Sequence, residues 1–138
     1  MARVTGIGGV FLRAKDPDAL SRWYRENLGL PVENGFAVLR ASDDAPDAQT
    51  TWSAFDPDTE YFGSQTQQVM IDYRVDDLDA LLEQLGAAGV TIAPERQEEP
   101  YGKFAWITDP EGNRIELWQP LAEADASGVR DADAVAEA

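Results

Sequence analysis

The sequence predicts a single α+β domain made of two copies of a strand–helix–strands unit. Three observations carry that reading. Arg13-Ala14-Lys15-Asp16-Pro17-Asp18-Ala19-Leu20 aligns with Arg74-Val75-Asp76-Asp77-Leu78-Asp79-Ala80-Leu81, five of eight pairs being identical at a spacing of 61 residues. Self-similarity of this kind marks a duplicated supersecondary unit. Each copy follows an apolar strand candidate and opens a helical pattern. Finally, 138 residues with 43 % apolar content suit one domain with a real core.

The elements follow in order. The first strand is expected over 7–14. Asp16 then suits a helix N-cap, Pro17 the first helical position, and Asp18 the positive helix end. Leu20, Trp23, Tyr24 and Leu28 recur near a 3.6 period and form one apolar face, and Gly29 ends the helix. Strands are expected over 36–40 and 50–55, then a connection over 56–68 carrying Tyr61-Phe62-Gly63. The second unit repeats the logic. A strand over 69–75 precedes Asp77 as cap, an apolar face of Leu78, Leu81, Leu82 and Leu85, and Gly89 as stop. Strands over 90–93, 104–108 and 114–118 follow. Asp109-Pro110-Glu111-Gly112-Asn113 joins the last two, with proline presetting one turn position and Gly or Asn supplying a positive φ. Residues 121–138 hold seven alanines, five acids and one arginine without an apolar stripe, and are expected to form a frayed acidic tail.

Composition removes whole classes of chemistry. The chain has no cysteine and no histidine. Disulfides, thiolate sites and cysteine nucleophiles are excluded, and so are the commonest metal ligand and general base. The net charge of −15 repels phosphate backbones and anionic lipid headgroups, so neither nucleic acid nor a membrane is an expected partner. Met1-Ala2-Arg3-Val4-Thr5 lacks the apolar core of a signal peptide, and no apolar run approaches the roughly 20 residues of a membrane span. A cytoplasmic location is expected.

Four segments carry a family likeness: Gly8-Gly9-Val10-Phe11-Leu12-Arg13-Ala14-Lys15-Asp16, Trp23-Tyr24-Arg25-Glu26-Asn27-Leu28-Gly29, Tyr73-Arg74-Val75-Asp76-Asp77-Leu78 and Asp109-Pro110-Glu111-Gly112-Asn113-Arg114-Ile115-Glu116-Leu117-Trp118. The chain resembles the vicinal oxygen chelate superfamily, which includes glyoxalase I, extradiol dioxygenases, and bleomycin- and fosfomycin-resistance proteins. The likeness spans about residues 4–120. It implies two βαβββ modules, about 4–56 and about 66–120, each a cupped sheet facing a shared cleft. The resemblance implies that the superfamily's metalloenzymes hold their ion at four positions, one on the first strand and one on the last strand of each module. The resemblance carries these onto Gly9, Met70, Glu116 and the stretch 50–52. Only Glu116 is a ligand. Catalytic sites commonly supply about three protein ligands, so no metal site and no cofactor are expected.

Strand side chains alternate between faces. With Glu116 turned into the cleft, Trp118 and Arg114 follow it. Phe11 goes with Gly9, Asp72 with Met70, and Phe104 with Trp106. The expected lining is Phe11, Met70, Phe104, Trp106 and Trp118, with Trp52 added, and with Tyr101 and the Tyr61–Phe62 connection near the mouth. Aromatic walls with few polar groups suit a small-molecule site, although the same aromatics could simply fill the sheet centre. Glu116 and Asp72 are the candidate acid/base groups. Burial raises a carboxyl pKa. Alternatively Glu116 is held in a salt bridge by Arg114, Arg13 or Arg74. Lys103 and the Glu98-Glu99 pair are expected in solvated loops.

Four functions compete. The leading one is a metal-free protein binding a small organic molecule, such as a cationic or aromatic compound held by stacking and cation–π contact. Next is a metal-independent isomerase, epimerase or lyase with Glu116 or Asp72 as acid or base and Tyr101 or Tyr61 as proton donor. A divalent ion held by carboxylates, in a lyase or dioxygenase, is a third. A structural or regulatory module with a filled cleft is the fourth. Sheet edges and the two-module plan predict a homodimer.

Overall fold

A computed structural model describes residues 1–40 and 49–121. The tail expected over 121–138 therefore lies almost wholly outside the described residues. The first module runs β1 (Val4–Arg13), α1 (Pro17–Leu28), β2 (Phe36–Arg40) and β3 (Gln49–Phe55). The second runs β4 (Val69–Val75), α2 (Leu78–Ala87), β5 (Thr91–Glu99), β6 (Gly102–Thr108) and β7 (Arg114–Pro120). All strands join one mixed, unclosed sheet in the order β2-β3-β1-β4-β7-β6-β5. Each module thus keeps its own block of strands. The blocks meet where β1 pairs antiparallel with β4, so the two equivalent first strands lie side by side at the centre.

The helix starts are as the caps require. The Asp16 side chain accepts the Ala19 amide at 3.0 Å and Asp77 accepts the Ala80 amide at 3.0 Å, each satisfying a donor that the first turn leaves open. Gly29 closes α1 at φ 68°. The second helix ends at Ala87 with Ala88 as its C-cap, and Gly89 follows at φ 80°, the left-handed conformation that ends a helix. In the β6–β7 turn, the Asp109 carboxylate accepts the Glu111 and Asn113 amides, both at 2.9 Å.

One face of the sheet packs on α2 through Val75, Leu78, Leu81, Ala105 and Leu117. The other gathers Phe11, Phe55, Tyr61, Phe62, Met70, Phe104, Trp106 and Trp118 into one buried cluster. Lys103 and the Glu98–Glu99 pair stand on β6 and β5 rather than in loops, and Lys103 reaches Asp79 at 3.2 Å. The apolar face expected on α1 is only partly covered. Tyr24 packs on Trp52 with ring centroids 4.8 Å apart, but Trp23 is 52 % and Leu28 65 % exposed.

Candidate functional site

The sheet register assembles the inner face in rows. Gly9 pairs with Asp72, Asp72 with Glu116, and Glu116 with Trp106, which sets one row across β1, β4, β7 and β6. Phe11 and Met70 form the neighbouring row on one side, and Trp118 and Phe104 on the other. Asp72 and Glu116 expose no surface. Two carboxyl groups therefore sit on adjacent parallel strands, whose spacing is about 4.8 Å, within a wall of aromatic rings.

Glu116 has defined partners. Its Oε2 accepts hydrogen bonds from the Tyr61 hydroxyl and, at 3.2 Å, from the Trp106 indole N–H. Arg13, Arg74 and Arg114, the arginines weighed as salt-bridge partners, donate to backbone carbonyls: Arg13 to Pro57, Thr59, Ser64 and Gln67, Arg74 to Gln49, and Arg114 to Tyr61. The reason is geometric. The connection 56–68 contains few regular backbone bonds, so its carbonyls need outside donors, and arginines on β1 and β7 supply them.

That connection is a strap laid across the inner face. It buries Tyr61 and Phe62, with Tyr61 stacked on Phe55 at 5.3 Å and edge-on to Trp106 at 5.9 Å. The sequence pattern predicts Tyr61 at the mouth; in the structure it lies against Glu116. A turn-rich segment has no periodicity to reveal such burial. The available hint was an arginine on each of the two strands flanking the strap.

The structure brings Phe11, Met70, Asp72, Phe104, Trp106, Glu116 and Trp118 together, with Tyr101 at the margin, its ring 6.0 Å from Phe104. Trp52 does not join them. It stands on the opposite face against Tyr24, while Gln49, Thr51, Ser53 and Phe55 are the buried residues of β3. Two cavities open along α1 instead. One is a recess of about 430 Å³ between Ser21, Arg25, Asn34, Ser53 and Asp56, and the other is a shallow, open apolar depression beside Leu20, Trp23 and Tyr24.

A register shift between Ile7 and Gly9 interrupts the β1–β4 ladder. A bulge of this kind turns two successive residues toward one partner. Both are glycines, and neither has room for a side chain. A Cβ on Gly8 would stand 2.1 Å from Asp72 Oδ1, and one on Gly9 would stand 2.9 Å from the Thr51 carbonyl oxygen. A side chain at Gly9, the first-strand ligand position, would run into the Thr51 carbonyl and the Phe11 ring. Among the described residues no three His, Cys, Asp or Glu side chains converge on one point. The donor set does not fit the superfamily's metal ion.

The fold and these residues define the class. A family model described as a glyoxalase-like domain matches residues 9–118, and the chain belongs to that family. Among solved structures it is similar to methylmalonyl-CoA epimerase from Mycobacterium tuberculosis, at 25 % identity and a TM-score of 0.60, with 87 % of this chain and 91 % of that one covered. A variant of the Streptomyces coelicolor methylmalonyl-CoA epimerase in complex with 2-nitronate-propionyl-CoA gives 19 % identity and a TM-score of 0.66, covering 87 % and 100 %. The Mn(II)-bound glyoxalase from Novosphingobium aromaticivorans gives 22 % and 0.57, covering 86 % of this chain and 40 % of that one. No curated protein matches the sequence. No helix among the described residues is long and apolar enough to cross a membrane.

Proposed function

We propose that this glyoxalase-like protein binds a small organic molecule on its inner face, with Glu116 as the polar anchor and no metal ion. One observation supports the reading most: a fully buried Glu116 carboxyl, packed among aromatic rings, serves as a hydrogen-bond acceptor for the Tyr61 hydroxyl and the Trp106 indole. An anchor of that kind orients a ligand, while the rings of Phe11, Phe104, Trp106 and Trp118 contribute stacking area. Two carboxyl groups among these rings favour a cationic aromatic compound. The ligand meets one copy of the chain or two; a homodimer remains part of the proposal. Titration with proflavine, read by quenching of tryptophan emission, tests the reading. Binding that weakens at least about tenfold in Glu116→Gln supports it, and no quenching at any attainable concentration refutes it.

A second reading rests on the register pairing of Asp72 with Glu116. One carboxylate removes a proton from a carbon beside a carbonyl and the other carboxylic acid returns one to the resulting enolate, with no metal. Both groups rise from one face of the sheet, so both reach the same side of a substrate. That geometry suits a proton shift along one face better than epimerisation, which works from two sides. Deuterium uptake from D2O into methylmalonyl-CoA or another carbonyl compound, lost in Glu116→Gln, is the test.

A further inference from the structure

The inner face already contains a small aromatic ligand, supplied by the chain itself. We propose that Tyr61 is a resident stand-in and that the site takes a phenol in its place. The proposal rests on the binding reading above and gives it a ligand class.

The surroundings of Tyr61 are those of a bound phenol. Its ring is stacked on Phe55, with an interplanar angle of 10°, and meets Trp106 edge-on at 86°. Phe11 closes a third side, with centroids 6.4 Å apart. Its hydroxyl donates to Glu116. Each of these contacts specifies one feature: a single flat ring, apolar flanks and one donor at the far end.

The tether makes exchange feasible. Tyr61 arrives on the strap 56–68, outside every strand and helix. The strap is fastened by side chains. Arg13 donates to the carbonyls of Pro57 at 2.8 Å, Thr59 at 3.0 Å, Ser64 at 3.0 Å and Gln67 at 3.1 Å, and Arg114 to that of Tyr61 at 3.0 Å. Lifting the Tyr61 turn breaks no bond of the sheet ladder. It bares the groups that Tyr61 covers, Phe11, Phe55, Trp106 and the Glu116 carboxyl.

The experiment uses the full chain and two probes, p-cresol and toluene, which differ by one hydroxyl. In Tyr61→Ala, p-cresol at about tenfold its Kd should raise the unfolding midpoint by roughly 5 °C, and toluene should bind at least about tenfold more weakly. Equal binding of the two overturns the phenol class. In the wild-type protein, p-cresol should speed amide hydrogen exchange across residues 56–68 by several-fold while leaving β6 and β7 protected. This arm needs no variant and decides the matter should Tyr61→Ala fail to fold. Unchanged exchange up to the solubility limit overturns the proposal, even if the variant binds. A parallel proflavine titration separates the failures: proflavine binding without p-cresol binding removes only the phenol, and loss of both removes the binding reading as well.

Discussion

Asp72 and Glu116 stand opposite each other on the neighbouring parallel strands β4 and β7, and neither exposes any surface. Burial and like charge both disfavour two carboxylates in such a place. The carboxyl of Glu116 nevertheless serves two donors, the Tyr61 hydroxyl and the Trp106 indole. Charge and hydrogen bonding therefore separate by substitution. Glu116→Gln keeps an acceptor oxygen and cannot ionise, so its stability at neutral pH should lie within about 1 kcal/mol of wild type. Glu116→Leu strands both donors in an apolar cluster and should cost about 3 kcal/mol. Urea unfolding of both variants measures the difference. Equal losses would mean that the negative charge itself is what the fold requires.

Gly8 is required by its neighbour across the ladder. A Cβ there stands 2.1 Å from Asp72 Oδ1 and 2.9 Å from the Trp118 ring, closer than any contact that real side chains tolerate. Gly8→Ala should cost about 2 kcal/mol through this overpacking. With Asp72→Ala in the background the cost should fall below about 1 kcal/mol, a coupling that a double-mutant cycle reports. Additive losses would show that the bulge geometry, and not Asp72, demands glycine.

Much of this architecture was legible because short-range rules are strong where they apply. Asp16 and Asp77 cap helices as their chemistry dictates. Alternation within each strand places Trp118 with Glu116, Asp72 with Met70, and Phe104 with Trp106, because the helix-facing half of each strand is apolar. Trp52 escaped because the reading had no anchored neighbour on β3, where a one-residue error reverses every side chain. The bulge at Gly8–Gly9 also breaks alternation, and two glycines carry no pattern to announce it. Tyr61 was harder still. Its burial depends on Arg13 and Arg114 binding a turn-rich strap, a tertiary arrangement between residues 46 and 53 positions apart in the chain.

Asp79 gives a prediction about acid. The guanidinium of Arg96, and then the ammonium of Lys103, hold its carboxyl below the ordinary value of 3.8. A carboxyl with a depressed pKa in the fold contributes stability above its unfolded value, and that contribution is lost as pH falls through the folded value. Asp79→Asn should therefore unfold at a lower temperature than wild type at pH 7, and the gap should close below about pH 4. Because the pair is solvent-exposed, 1 M salt should narrow the gap as well. A gap independent of both pH and salt would mean that the side chain acts through shape instead of charge.

Arg13 couples the strap to the central strand. Its guanidinium donates to four strap carbonyls and lies over the Phe62 ring at 5.2 Å. No other side chain reproduces that set: an ammonium has three donors and no planar fork. Arg13→Ala should lower stability by about 2–4 kcal/mol, since the freed carbonyls lose charge-assisted bonds. Arg13→Lys should recover less than half of that loss. The informative measurement is local. Amides within 56–68 should exchange faster by a larger factor than those of α2 or β6, because the strap can open while the sheet stays paired. Uniform acceleration across the chain would instead make Arg13 part of one cooperative core, with the strap unable to move by itself.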